Sequence, residues 1–117
     1  MADFDFSEVA RLEVAIDNAT AKTQAMVKAA VKKTGFDTVA GAQALVPVDT
    51  GNLKNSIGVD FDSDGYGFEA GATANYGGFI EWGTSKMAPQ PYLGPAFERT
   101  SEEFVKAIES IGGRVLE

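Results

Sequence analysis

The feature that most constrains this chain is a helical pattern that runs almost without interruption from Ser7 to Leu45. Val9, Leu12, Ile16, Ala19, Thr23, Met26 and Ala30 recur every three or four residues, which is one stripe of an amphipathic helix. Val27, Val31 and Val39 widen the stripe, while Lys22, Lys28, Lys32 and Lys33 fall mostly outside it. Ser7 suits an N-cap, with Glu8 in the first turn where a carboxylate complements the helix dipole. Pro47 ends the pattern, because it disfavours the helical region for Val46. As one piece, the helix predicted over about 7–45 would be about 55–60 Å long at 1.5 Å per residue. A stretch of that length in a small domain predicts a kink or break at Gly35 or Gly41.

The residues after the proline follow a different period. Pro47-Val48-Asp49-Thr50-Gly51 reads as a turn, with Asp49 or Thr50 able to hold the loop or cap a short helical turn. Leu53, Asn55, Ile57, Val59 and Phe61 then alternate with Lys54, Ser56, Gly58 and Asp60, which is the period of a half-buried strand. Asp62-Ser63-Asp64-Gly65 is a hairpin turn, and Tyr66, Phe68, Ala70 and Ala72 mark the return strand. Leu53–Thr73 is thus expected to form an antiparallel hairpin. Tyr76–Trp82 fits a third strand or a short helical turn, giving a sheet over about 53–82.

Three of the four prolines, Pro89, Pro91 and Pro95, then stiffen the segment 83–95. Pro95 suits the first turn of a helix over about 95–111, carried by Ala96, Phe97, Thr100, Phe104, Ala107, Ile108 and Ile111. Gly112-Gly113 is expected to cap it. The expected architecture for residues 1–117 is one α+β domain, with a long N-terminal helix, a small antiparallel sheet built on a hairpin, and a C-terminal helix.

Composition narrows the chemistry. With no cysteine and no histidine among 117 residues, disulfides, thiolate metal sites and most triad or zinc chemistry are excluded. A formal net charge of −7 argues against tight non-specific binding to a phosphate backbone. No run is long and apolar enough to span a bilayer, and the acidic start MADFDFSEVA lacks the features of a signal peptide. The chain is therefore expected to be made and to stay in the cytoplasm, or to leave it by a route not encoded in a leader.

Individual motifs give little for catalysis. Asp60, Asp62 and Asp64 resemble half of a calcium loop, yet counting from Asp60 puts Gly71 where the bidentate glutamate belongs. A solvated turn is the simpler reading. Glu81 beside Trp82 is a carboxylate in an apolar setting with no partner carboxylate in the pattern. An enzyme using Glu81 and Asp49 is the weakest of the functions considered. Thr84 and Ser85 have no histidine to activate them. Gly65, Gly67 and Gly71 do not make a phosphate loop. Tyr76, Phe79, Trp82 and Tyr92 lack the interleaved basic residues of a base-stacking surface, so a core or a protein interface fits them better. No catalytic residue, metal site or cofactor is expected.

Two blocks stand out together. The first is Pro47, Val48, Asp49, Thr50, Gly51, Leu53, Ser56 and Ile57. The second is Tyr76, Glu81, Trp82, Gly83, Thr84, Ser85, Lys86, Met87, Pro91, Tyr92, Leu93, Pro95 and Ala96. In this order and at this separation they resemble the signature of small neck or minor tail-component proteins of long-tailed bacteriophages. Trp82 stands where that pattern usually has phenylalanine, and Gly94 where it has a larger, often basic residue. The resemblance implies a non-enzymatic structural protein at the head–tail junction, acting in the neck or in tail completion. Its expected partners are itself, in a ring or collar, and other phage connector or tail proteins. DNA would pass through without specific binding, and no membrane is involved. The place implied is the virion, with assembly in the host cytoplasm. A tail-assembly accessory protein and a non-viral protein-binding adaptor are the alternatives. The stiff segment could present Met87, Tyr92 and Leu93 either to the domain's own core or to a neighbouring subunit.

Overall fold

The computed structural model describes residues 9–46, 51–72 and 91–116. The order is β1 (Val9–Glu13), α1 (Ala21–Leu45), α2 (Gly51–Ser56), β2 (Ile57–Phe61), β3 (Gly67–Ala72) and α3 (Leu93–Leu116). The three strands make an antiparallel sheet in the order β1-β3-β2. The fold is α+β, with a long helix in the N-terminal half, a small antiparallel sheet and a C-terminal helix.

The first correction concerns the start of the chain. Val9–Glu13 is a strand, not the opening turns of a helix from residue 7. Ala10 pairs with Ala70 and Leu12 with Phe68, so β1 satisfies the otherwise open edge of β3 and buries Ala10. Five residues with apolar positions at 10 and 12 satisfy a strand period as well as a helical one, and the backbone pairing decides between them. Ser7 lies outside the described residues. The helix instead begins after Thr20, whose side-chain oxygen accepts the Thr23 N–H at 3.1 Å as an N-cap. It ends at Val46, extended at φ −64° and ψ 136°, as the following proline requires.

The hairpin is formed by β2 and β3, with Ile57 opposite Ala72, Val59 opposite Ala70 and Phe61 opposite Phe68. Its turn is closed by three hydrogen bonds. Asp62 N donates to Gly67 O at 2.9 Å, Gly65 N to Asp62 O at 3.0 Å, and Tyr66 N to the Asp64 carboxylate at 2.9 Å. Gly65 takes a φ of 82°, a conformation that a side chain would strain. The residues expected to open the strand, Leu53–Ser56, belong to the short helix α2 instead. Residues 73–90, which include the ambiguous third strand and most of the proline segment, lie outside the described residues.

Helices α1 and α3 run antiparallel against one face of the sheet. Gly41 meets Ala96, Thr38 meets Thr100, and Val27 and Val31 share a cluster with Phe104 and Ile111. The two glycines of α1 do not break it. A β-carbon at Gly35 would stand 2.7 Å from the Phe61 ring, and one at Gly41 would stand 2.8 Å from the Arg99 guanidinium and 3.2 Å from Ala96 Cβ. They are contact positions, one for β2 and one for α3. The buried side of α1 is Val27, Val31, Thr34, Gly35, Thr38, Gly41 and Ala42, so the stripe read from Thr23, Met26 and Ala30 is its flank. α3 begins at Leu93, two residues before Pro95, and continues through Gly112-Gly113 rather than stopping there.

The core has two centres. One, beneath the hairpin, gathers Val27, Val31, Phe68, Ala70, Phe104 and Ile111, with Leu12, Phe61 and Phe97 packed around them. There Phe61, Phe68 and Phe97 stand edge to face at centroid distances of 6.1 and 6.2 Å. The other centre lies at the opposite end of the helix pair.

Candidate functional site

The second core centre is where the two sequence blocks meet. Leu53 and Tyr92 are fully buried and Leu93 nearly so, packed with Ala42, Val46, Ile57, Ala72 and Ala96. Leu53 arrives on α2 and Tyr92 and Leu93 at the start of α3, so residues about 40 positions apart close over the C-terminal end of α1. Ser56 assists locally by donating to the Leu53 carbonyl at 2.8 Å. Tyr92 and Leu93 therefore serve this domain's own core. Pro91 and Pro95 are exposed beside them, and Gly51 opens α2. Pro47, Asp49, Thr50, Tyr76, Glu81, Trp82, Gly83 and Thr84 lie outside the described residues, as do Ser85, Lys86 and Met87.

A pair of threonines, of which the sequence pattern marked only Thr100, links the helices between the two centres. Thr38 Oγ1 bonds the Thr34 carbonyl at 2.8 Å and lies 2.7 Å from Thr100 Oγ1. Thr38 can thus donate to its own helix and accept from Thr100 across the interface, leaving neither buried hydroxyl unpaired. Both threonines fall on the apolar face of their helix, and that placement was the available signal.

The outer side of the sheet carries its charge. Glu69 of β3 stands between Arg11 of β1 and Asp60 of β2. Arg11 donates to Asp62 through both terminal nitrogens at 2.7 and 3.1 Å, to Glu13 at 2.8 Å, and lies 3.7 Å from Glu69. The hydrogen bond to Asp62, then the one to Glu13, holds the guanidinium charged well above its ordinary range. Asp62 and Asp64, the candidate calcium ligands, are thus employed by Arg11 and by the turn. A shallow groove of about 310 Å³ runs over this face, floored by Gly58 and Gly71 and edged by Val9, Ser56, Asp60 and Glu69. Among the described residues it offers backbone, two like-charged carboxylates and the Ser56 hydroxyl, which is directed to the Leu53 carbonyl.

The helix pair supplies a second exposed surface. Lys22, Lys32 and Lys33 point to solvent from α1, and Lys33 holds Asp37 at 2.6 Å, which raises its pKa above the ordinary 10.5. Lys28 lies over the Tyr66 ring, 5.2 Å from its centroid. Phe36 remains 53% exposed although its ring meets Phe61 at 5.3 Å. On α3, Glu98, Glu102, Glu109 and the 54%-exposed Val105 face outward.

Among the described residues, Leu53, Tyr92 and Leu93 of the two blocks thus lie in the core, while the charged side chains and the apolar Phe36 and Val105 lie outside. Residues 10–83 match the family model described as "Bacteriophage HK97-gp10, putative tail-component". The chain belongs to this HK97-gp10-like family. The match runs from β1 through the hairpin to Gly83, so it takes in the first block and the start of the second. No curated protein and no solved structure gives a significant match. Membership assigns the chain a structural role connected with phage tails, and hence a place in the virion alongside other phage proteins. Among the described residues, no helix is long and apolar enough to cross a membrane.

Proposed function

We propose that this chain is a neck or tail-completion protein, a non-enzymatic building block of a ring or collar at the phage head–tail junction. The observation that carries the reading is the family match across residues 10–83. The chemistry agrees with it. A chain without histidine or cysteine has few means of activating a nucleophile, and its net charge of −7 suits a wall along which DNA must slide without sticking. Partners are further copies of the chain and the neighbouring connector or tail proteins, with assembly in the host cytoplasm.

Electron microscopy of purified particles carrying an epitope-tagged chain tests the reading. Label at the head–tail junction is the expected result. Label along the tail shaft, or none on finished particles, would overturn it, and the second outcome would instead indicate an assembly accessory. If the junction is then resolved, its lumen should be lined by acidic side chains.

A further inference from the structure

The exposed sides of α1 and α3 share a pattern that the fold of one chain leaves unused. On α1, Lys22, Met26, Ala29, Lys33 and Phe36 follow at steps of four, three, four and three residues. Such steps keep to one side of a helix. All are exposed except Met26, which is half-buried. On α3, Pro95, Glu98, Glu102, Val105 and Glu109 follow at steps of three, four, three and four, and all five are exposed. Read in opposite directions, the two series have the same spacing. From Lys22 to Lys33, and from Glu98 to Glu109, the rise is about 16.5 Å.

We infer that α1 of one copy docks antiparallel on α3 of the next, along these two stripes. Lys22 then faces Glu109 of the second copy, Met26 faces Val105, Ala29 faces Glu102 and Lys33 faces Glu98. Charge complementarity selects the occupant. The α1 stripe carries two lysines and no acid, and the α3 stripe carries three glutamates and no base. Self-pairing of either stripe would oppose like charges, whereas the mixed pairing opposes unlike ones. Met26 against Val105, with the small Ala29 beside them, gives an apolar centre that lets the backbones approach. Lys33 already holds Asp37, but that pair is exposed, so redirecting the ammonium costs little. Within one chain α1 and α3 are themselves antiparallel, so the same relation between neighbours preserves helix direction from copy to copy. Each copy offers α1 to one neighbour and α3 to the other, a heterologous contact that closes into a ring when the rotation permits. The inference rests on the ring reading and names the surface that reading requires.

The absence of cysteine permits a clean test. Full-length chains carrying Ala29→Cys or Glu102→Cys are mixed under mild oxidation and compared with a mixture of Ala29→Cys and Asn52→Cys, where Asn52 is exposed on α2. The expected result is at least about tenfold more cross-linked heterodimer for the 29–102 pair, falling as salt rises. Adding Lys22→Glu and Lys33→Glu to the first chain should abolish the excess. Adding Glu98→Lys and Glu109→Lys to the second chain should restore it, a recovery that misfolding cannot mimic. A 29–102 yield no higher than the control overturns the inference. If the parent chain still self-associates by light scattering, only this surface is wrong and the ring reading stands.

Discussion

The two long helices are nearly equal in length, 25 residues in α1 and 24 in α3, yet they divide their surfaces differently. In α3 the apolar residues gather on one side, with Ala96, Phe104 and Ile111 buried and glutamates opposite. In α1 the buried side is made largely of small residues and threonines, while alanines and Phe36 also occupy the exposed side. A helix that buries Gly35, Gly41 and Ala42 does so to let its neighbours come close. A helix that also leaves Ala25, Ala29, Phe36 and Ala40 in solvent retains surface for a partner. Thus each helix commits one side to its own domain, and they differ in what the other side carries: lysines, alanines and Phe36 on α1, glutamates and Val105 on α3.

The sharpest way to break this comparison is a pair of adjacent substitutions on α3. Phe104→Ala should cost about 3–4 kcal/mol in chemical denaturation, because it empties a core position. Val105→Ala should change stability by no more than about 0.5 kcal/mol while weakening self-association. Equal costs would contradict the division of α3 into two sides.

The glycines distinguish the helices next. Gly41→Val should destabilise by about 1–3 kcal/mol, since its side chain meets Arg99 and Ala96. Gly112→Ala on α3 meets nothing within 4 Å and should stabilise by about 0.5–1 kcal/mol. Melting temperatures moving in opposite directions would confirm that α1 needs glycine for contact.

The threonine pair joins the two helices and should behave as a unit. Thr38→Val alone should cost about 1–2 kcal/mol by removing the cross-helix partner of the buried Thr100 hydroxyl, which then keeps only its 3.2 Å bond to the Phe97 carbonyl. The double change Thr38→Val with Thr100→Val should recover most of that loss, which a double-mutant cycle would measure. The smallest effect belongs to the cap that sets where α1 begins. Thr20→Ala should cost about 1 kcal/mol, with fraying of the first turn visible in amide exchange.

What was legible in the sequence follows the same division. The hairpin could be read because Val59 and Phe61, and then Phe68 and Ala70, alternate on either side of an Asp-Gly turn, so local signals agreed with the fold. Most of α3 could be read because its apolar stripe is unbroken. β1 could not, since Val9 and Leu12 lie in helical step with Ile16, and only pairing with β3 selects the strand. α2 was hidden for the converse reason, because Leu53, Asn55 and Ile57 alternate although the chain turns helically before Ile57. The glycines of α1 read as breaks because their role lies in Phe61 and Ala96, far away in sequence. At the site, Leu53, Tyr92 and Leu93 stand out in the sequence within the two blocks, and the structure buries all three. Their convergence in one core depends on the antiparallel return of α3, which no local pattern encodes.

The most direct test of the central claim, that the outer sides of the helices join successive copies, is the mass of the full chain in solution. It would be measured by light scattering across a concentration series, with electron microscopy of any large species. The account predicts a mass rising from 12.3 kDa to a fixed multiple with closed rings, and a Lys22→Glu, Lys33→Glu chain that remains at 12.3 kDa. A parent chain that stays at 12.3 kDa at every concentration, or a reversed chain that assembles equally well, would contradict it.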